Sequence, residues 1–328
     1  MHTTLCKIRS IALAAALQVI FLLSACSGST AAVETSWEWE RLNDGTVRIT
    51  ACTAAEAHIS VPCAFDELPV SAIGNDVFRD FSTLQSVTLP QTVISIGNRA
   101  FMGCSSLASI NLGSVTAIGS QAFSGCHALG AVELNDQLIL LGMGAFEDCR
   151  TIESVTLPGT LSALSQRVFY GCLSLRNVQL CDGISAIGDY AFSGCRSLDT
   201  LDIPSSAASV GDYAFMECTS LEQVMLDEGL RTVGQQAFSG CDALSYIQFP
   251  DTLTVIGARA FSGCSSLEQV QIPASVITIG ADAFDGCSGL TISAPTPSTG
   301  QLYASEYGFP FEELLSESEA VSASDTTH

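Results

Sequence analysis

The sequence predicts a β-rich solenoid, a fold in which one short unit is stacked many times on copies of itself. The motif Phe-x-x-Cys occurs nine times, and successive cysteines lie 23 residues apart except in the first interval, which is 22. A period of this size favours stacked units over the two or so globular domains that 328 residues would otherwise suggest. The expected structural core of the array comprises Phe101, Cys104, Phe123, Cys126, Phe146, Cys149, Phe169, Cys172, Phe192, Cys195, Phe215, Cys218, Phe238, Cys241, Phe261, Cys264, Phe284 and Cys287.

Each unit reads L-x-x-V-x-L-P-x-x-L-x-x-I-G-x-x-A-F-x-G-C, as at residues 267–287. Val270 and Ile272 are two residues apart, so both point to the same side of a short strand, which we expect to be the core side. Pro273 has no N–H to donate and therefore ends the strand. Gly280 marks a turn, after which Ala-Phe-x-Gly-Cys is expected to return the chain in a tight, 3₁₀-like turn. One unit cannot bury its own apolar residues, so its neighbours complete the burial.

The opening L-x-x-V-x-L of the unit is a leucine-rich-repeat strand signature. The full pattern resembles the BspA-type leucine-rich repeat family of bacterial surface proteins, over about residues 59–292. Residues 37–50 are similar to the N-terminal cap that precedes such arrays, and residues 302–311 to the short segment that closes them. The resemblance implies a leucine-rich repeat array of about ten 23-residue units, in a protein that adheres to other proteins or to cells.

The chain is expected to have six parts. These are a lipoprotein signal peptide (1–25), a tether (26–36), an N-terminal cap (37–57), the solenoid (58–293), a closing segment (294–315) and a tail (316–328). The tail is rich in Ser and Glu and is expected to be disordered. The unit around Leu112 is one residue short and has Gly113 in place of Pro, so we expect the stack to bend slightly there.

The N-terminus has the pattern of a targeting segment. Lys7 and Arg9 precede an apolar run over residues 11–23, which is too short for a membrane span of about 20 residues. Leu23-Ser24-Ala25-Cys26 at its end resembles a bacterial lipobox. By that resemblance Cys26 is lipidated, and the exported chain is held at the bacterial cell surface or envelope by its lipid anchor. The alternatives are ordinary signal cleavage nearby or a cysteine that occurs here by chance.

The charge balance narrows the classes of partner. The chain has 34 acidic and 12 basic residues and a formal net charge of −22 at pH 7. Such a surface repels nucleic acid and anionic lipid. The sequence contains no G-x-S-x-G nucleophile elbow, no Walker loop and no D-x-D-x-D-G calcium loop. We therefore predict a non-enzymatic protein that needs no cofactor or metal.

The cysteines have two readings. Zinc sites use close pairs such as C-x₂-C, which the nine repeat cysteines do not form. Disulfides between neighbouring units are geometrically allowed, but nine equivalent positions single out no pairing. A buried column of free thiols is therefore favoured, since free Cys behaves as a small apolar residue. Cys52 and Cys63 lie outside the column, and a disulfide between them in an export compartment is a separate hypothesis.

The outward strand positions provide the candidate binding surface. In leucine-rich repeats this sheet lines the concave side, which curved solenoids use to bind extended partners. Tyr246 is the only aromatic residue at these positions, and Tyr is favoured at protein-binding hot spots. The candidate partner-binding residues are Glu133, Thr156, Gln179, Asp202, Met225, Tyr246 and Gln248. We predict an adhesin-like module that binds extracellular or surface proteins.

Two other functions stay open. An envelope scaffold, or a surface protein that associates with copies of itself, would use the same repeat without a specific outside partner. A carbohydrate-binding module is the lesser alternative, because a glycan site favours several stacking rings and the outward strand positions offer one.

Overall fold

The computed structural model describes residues 36–314, which form a β-solenoid of about 12 turns with a repeat of about 23 residues. The predicted fold class is confirmed. The array is longer than the ten or so predicted units because turns at both ends carry strands without the Phe-x-x-Cys motif. The predicted signal peptide with Cys26 and the predicted tail lie outside the described residues. Among residues 36–314, no helix has the length and apolar character that crossing a bilayer requires.

The N-terminal cap is an antiparallel hairpin of β1 (Trp37–Arg41) and β2 (Val47–Cys52). Its turn is held by Asp44, whose carboxylate accepts hydrogen bonds from the N–H and the hydroxyl of Thr46. Strand β2 then pairs in parallel with the first strand of the stack, β5 (Leu68–Ile73). The hairpin therefore covers the N-terminal end of one sheet, and its apolar side joins the core.

One side of each turn, here called the long-strand face, is formed by the strands of the L-x-x-V-x-L signature. They pair in parallel with a shift of one repeat, as Ser154 with Asn177. Inward residues such as Val155 are buried, while their neighbours are exposed. The strands are β3 (His58–Ser60), β6 (Ser86–Thr88), β8 (Ser109–Ile110), β11 (Ser154–Leu157), β12 (Asn177–Leu180), β14 (Thr200–Ile203), β16 (Gln223–Leu226), β18 (Tyr246–Gln248), β20 (Gln269–Gln271), β22 (Thr291–Ala294) and β23 (Phe311–Glu313).

A second parallel sheet, the short-strand face, is built by the residues just before the Ile-Gly of each unit. A two-residue strand, β4 (Ala64–Phe65), pairs with β5 at its N-terminal end. Beyond β5 the strands are β7 (Ser95–Ile96), β9 (Ala117–Ile118), β10 (Leu140–Leu141), β13 (Ala186–Ile187), β15 (Ser209–Val210), β17 (Thr232–Val233), β19 (Val255–Ile256) and β21 (Thr278–Ile279).

The glycine after each short strand is required by close approach of the preceding turn. A Cβ on Gly257 would lie 2.5 Å from the carbonyl carbon of Gly234. Ser165 occupies this position in one unit, and its turn does not pair with β10; its hydroxyl donates to the carbonyl of Leu141 instead. The short-strand sheet is accordingly split between β10 and β13.

The long-strand sheet is interrupted at three levels, between β8 and β11, between β12 and β14 and between β18 and β20. The first of these lies close to the split in the short-strand sheet. Residues 131–134 form no strand, so β8 and β11 do not pair through them. This interruption follows the short unit with Gly113. One turn earlier, Leu89 forms its hydrogen bonds with the side chain of Asn111 and not with a neighbouring main chain. The Leu89 N–H donates to Asn111 Oδ1 (2.7 Å), and Asn111 Nδ2 donates to the Leu89 carbonyl (2.8 Å).

The third side of each turn, the return side, contains the Ala-Phe-x-Gly-Cys segments. The expected i to i+3 hydrogen bonds are present, as from Cys195 N to Phe192 O (3.1 Å). Residues with positive φ, such as Tyr190 (57°) and Gly194 (77°), separate these bonds into successive β-turns. Each segment also bonds to the next, as from Phe192 N to Ala214 O (2.8 Å). The 3₁₀-like return is thus a stack of turns that bond to one another.

The phenylalanine rings form a continuous ladder inside the return side. Neighbouring rings from Phe78 to Phe284 are nearly parallel, with centroids 4.9–5.5 Å apart. Trp37 closes the N-terminal end with an edge-on contact at 6.1 Å, and Tyr303 closes the other end at 5.9 Å. The ladder passes every interruption of the two sheets without a break, so the return side holds the array together there.

The C-terminal end is closed by helix α1 (Thr299–Tyr307). Ser298 caps its N-terminus by accepting from Gln301 N, and Gly308 ends it in the left-handed conformation (φ 76°). Tyr303 and Ala304 are buried and place the helix against the last turn. The chain then adds β23 beside β22.

The predicted disulfide between Cys52 and Cys63 is wrong. Cys52 ends β2 opposite Trp37 and carries a free, half-buried thiol. Cys63 lies in the following turn, between β3 and β4, and is not among the free thiols. The hairpin register, which compartment and sequence distance do not define, decides where Cys52 lies.

Candidate functional site

The seven predicted partner-binding residues all have exposed side chains on the long-strand face. The parallel register arranges most of them in one column, where Thr156 lies beside Gln179 and Asp202 beside Met225. Thr156 also donates a 3.3 Å hydrogen bond to the side chain of Gln179. Strands β12 and β14 do not pair, so the column consists of two parts, Thr156 with Gln179 and Asp202 with Met225 and Gln248.

Three of the residues form a compact patch. Met225 pairs in register with Gln248, and the hydroxyl of Tyr246 donates to the side-chain oxygen of Gln248 at 3.1 Å. Met225 is 43% exposed and Tyr246 48% exposed. A thioether and an aromatic ring side by side on a rigid sheet offer apolar contact area, and the fixed phenol adds a hydrogen-bonding group. Asp202 adds a carboxylate at the edge of the patch.

Glu133 lies apart from this patch, on the interrupted segment 131–134. It lines a hollow of about 900 Å³ together with Thr88, Asn111 and Gly113. The sequence analysis did not foresee this hollow. The one-residue deletion and the Gly113 substitution were the available signals, but a missing residue does not reveal which hydrogen bonds are lost.

Acidic residues run along one edge of the long-strand face. The position just before each strand is exposed and is held by Glu153, Arg176, Asp199, Glu222 and Glu268 in successive or nearby turns. Backbone bonds from Arg176 N to Glu153 O and from Glu222 N to Asp199 O place them in one row. Four carboxylates against the single cation of Arg176 give this edge a net negative potential that favours a basic partner.

A second cluster, which the sequence analysis missed, lies on the return side. Arg167 pairs with Glu147 at 2.6 Å, and its guanidinium lies over the ring of Tyr170 at 4.2 Å. Tyr190 and Tyr213 stack at 4.6 Å in the following turns. Arg167, Tyr190 and Tyr213 occupy the same position of consecutive units, so the period itself was the signal. Because these groups already contact one another, the cluster connects turns.

The nine core thiols are hydrogen-bond donors in the interior. Each Sγ donates to the carbonyl of the phenylalanine one turn earlier, at 3.0–3.3 Å, as Cys195 does to Phe169. All nine thiols are free and buried, and the nine phenylalanines are buried as well. Burial raises the pKa of Cys218 to about 12 and that of Cys287 to about 11. These thiols therefore stay protonated at neutral pH, which does not suit a nucleophile.

His58 and Ser86 approach each other on β3 and β6, with 2.8 Å between Nδ1 and Oγ. A serine nucleophile needs a base that a third group orients. Among residues 36–314, no carboxylate bonds to the ring of His58, and the pair is exposed. It is a hydrogen bond between neighbouring strands. The same residues include no group of three or more His, Cys, Asp or Glu that could hold a metal ion.

Solved structures of bacterial leucine-rich repeat proteins are similar to this chain. Among solved structures, a leucine rich cell surface protein from Faecalibacterium prausnitzii A2-165 is 26% identical over 86% of this chain and 94% of that chain, with a TM-score of 0.49. A leucine-rich repeat protein from Bacteroides ovatus ATCC 8483 is 23% identical over 85% of this chain and 98% of that chain, with a TM-score of 0.45. No curated protein matches the chain.

The repeats themselves match a family model. The model of the BspA type leucine rich repeat region matches residues 71–199 and 185–301, with six copies. These residues include the nine Phe-x-x-Cys motifs and most strands of both faces. Since the match extends over well more than half of the chain, the protein belongs to the BspA-type leucine-rich repeat family.

Proposed function

We propose that this protein is a non-enzymatic, lipid-anchored cell-surface module whose long-strand face binds other proteins. Membership of a family of leucine-rich repeat surface proteins supports an interaction role at the surface. The observation that carries the proposal is the exposed patch of Met225, Tyr246 and Gln248 beside Asp202. Such a patch combines apolar area with hydrogen-bonding groups, as interface hot spots do.

The charges favour a partner with basic groups around an apolar centre. The net charge of −22 and the acidic row beside the strands accelerate the approach of a positively charged surface. The patch itself is uncharged except at Asp202. The apolar contacts would then contribute affinity, whereas the carboxylates would set orientation and salt dependence.

Reversing two carboxylates on the face tests the binding role. The full-length protein would be screened by biolayer interferometry against matrix, serum and mucosal proteins. We expect the double variant Glu133→Arg/Asp202→Arg to weaken a saturable hit about tenfold or more, equivalent to about 1.4 kcal/mol, because two carboxylates facing the partner become cations. Both side chains are exposed, so the fold should be retained.

The matched control is Asp242→Arg/Asp285→Arg. It makes the same change of charge at exposed positions of the return side. Binding should be nearly unchanged in this control. Equal losses in both double variants would mean that net charge, and not the long-strand face, governs binding. No saturable binding by the unaltered protein would contradict the proposal itself.

The lipid anchor at Cys26 is a separate part of the proposal and is supported by the lipobox-like Leu23-Ser24-Ala25-Cys26. Expression in bacteria with an alkyne fatty acid should label the full-length protein. A Cys26→Ala variant should lose both the label and co-sedimentation with membranes, since no other thiol sits at the cleavage motif. Label and membrane association that persist in Cys26→Ala would argue against the anchor without affecting the binding surface.

A further inference from the structure

The short-strand face lacks carboxylates in a strongly acidic protein. The chain has 34 acidic residues, yet none occurs in the nine segments that form this face, and Arg231 is their only charged residue. The segments are residues 92–97, 114–119, 137–142, 160–165, 183–188, 206–211, 229–234, 252–257 and 275–280. The stack thus presents a long, nearly uncharged strip of Ser, Thr, Ala and aliphatic side chains.

Exposed aliphatic residues lie toward both ends of this strip. Ile94 is 50% exposed, Ile139 67% and Ile277 73%. They belong to one column of the repeat, as backbone bonds from Thr116 N to Ile94 O and from Ile139 N to Thr116 O indicate. The middle of the column holds smaller side chains, including Ser185. Each of the three isoleucines is at least half exposed, and they recur in one column of a nearly uncharged strip, which is the surface on which we expect a partner to pack.

The charge of the protein and the regular spacing of its turns both favour a second copy of the chain as the partner of the short-strand face. Two copies with a net charge of −22 repel each other wherever their carboxylates face. The short-strand strips bring no carboxylates of their own into contact, since residues such as Asp182 and Asp189 lie beside the strip and not in it. A second copy also has the same spacing of turns, about 4.8 Å, so ridges and grooves can match along the whole strip. We propose that the short-strand face is a self-association surface on which a second copy packs sheet against sheet.

The positions of the isoleucines point to an antiparallel arrangement. Ile94 lies four turns before Ser185 in the column, and Ile277 lies four turns after it. A two-fold axis at Ser185 would therefore place Ile94 of each copy opposite Ile277 of the other, and Ile139 opposite the aliphatic stem of Arg231. Two-fold interfaces are self-complementary in this way. Small side chains at the centre allow the sheets to approach to about 10 Å, the usual distance between packed sheets.

This association would leave the proposed protein-binding site free. The long-strand and short-strand faces share no strand, and Met225 and Tyr246 lie on the former. A dimer joined through the short-strand faces would direct both long-strand faces outward. The inference does not depend on the identity of an outside partner.

Sedimentation velocity of the full-length chain tests the proposal. We expect a species of twice the monomer mass of 34.3 kDa at micromolar concentration. The variant Ile94→Glu/Ile277→Glu should sediment as a monomer, because each new carboxylate of one copy would lie opposite a new carboxylate of the other copy within the uncharged strip. Met225→Glu, which makes a similar change at an exposed residue of the other face, should remain dimeric but lose affinity in the binding screen.

The orientation has its own readout. A short bis-maleimide should join two copies of a Ser185→Cys variant at the two-fold axis, whereas Ser154→Cys on the long-strand face should stay monomeric on a denaturing gel. A monomeric wild-type protein at all concentrations would overturn the proposal. An unchanged dimer in Ile94→Glu/Ile277→Glu would overturn it as well, and would indicate association through another part of the chain.

Discussion

Replacing Phe192 with Ala is expected to reduce the free energy of unfolding by about 3–5 kcal/mol, the usual loss for a fully buried Phe. The side chain has no exposed surface and stacks between Phe169 at 5.5 Å and Phe215 at 5.3 Å. Its removal would leave a cavity inside the ladder that rigid main-chain bonds between turns prevent from closing. The loss should therefore lie at the upper end of what one side chain contributes.

Calorimetry and urea unfolding of the full-length protein would measure this loss. Met225→Ala is the matched control, because it shortens an exposed apolar side chain and should change stability by about 0.5 kcal/mol or less. A repeat array with one weakened interface can also unfold in two steps, so a new early transition is an equally clear result for Phe192→Ala. An unchanged thermal midpoint would contradict the ladder as a source of stability.

Raising the pH above about 9 is expected to destabilise the protein steeply. Burial raises the pKa of every core thiol above its ordinary 9.0, to about 12 for Cys104 and Cys218. The unfolded chain loses these protons near pH 9, whereas the folded chain keeps them. The stabilisation is complete below pH 9 and is lost as the pH rises toward the folded pKa. In that window the free energy of unfolding falls by about 1.4 kcal/mol per pH unit for each thiol. The nine thiols lose their protons over the same range, so their effects add in the same direction.

Thermal midpoints measured between pH 7 and pH 11 would reveal this dependence. Cys195→Ala removes one buried thiol from the column. Its thermal midpoint should be lower than that of the unaltered protein at pH 7 but should fall less steeply as the pH rises. The slope of the midpoint against pH reports the ionisation of the thiols, whereas the difference between the two midpoints at pH 7 reports the lost packing. A midpoint that stays level to pH 11 would mean that the thiols are not buried donors.

Much of the fold could be predicted because the period constrains every unit equally. Once Phe-x-x-Cys recurs every 23 residues, equivalent residues must stack, and the alternation around Val270 decides which side faces the core. The interruptions of the two sheets could not be predicted in this way. Ser165 for Gly looks conservative in sequence, and its effect appears only when the preceding turn is seen to occupy the space of a Cβ.

The sequence predicts which residues are exposed on the surface better than it predicts which exposed residues contact one another. Outward strand residues such as Tyr246 were correctly expected to be exposed, but its bond to Gln248 depends on rotamers that sequence does not define. Arg167, Tyr190 and Tyr213 share one repeat position, but that position is variable from unit to unit, so their mutual contacts could not be predicted from the consensus. The prediction of a Cys52–Cys63 disulfide was wrong because two cysteines that are close in sequence can lie in different turns of the structure.

The rings at the two ends of the ladder have a consequence for how such a protein can change in length. Trp37 and Tyr303 contact the first and last rings, whereas every ring between them has an equivalent neighbour on both sides. An in-frame duplication or loss of one unit would rejoin surfaces that already fit, because each unit contacts only its neighbours. Recombination could thus lengthen or shorten the reach of the array in steps of about 4.8 Å per turn, with both caps unaltered.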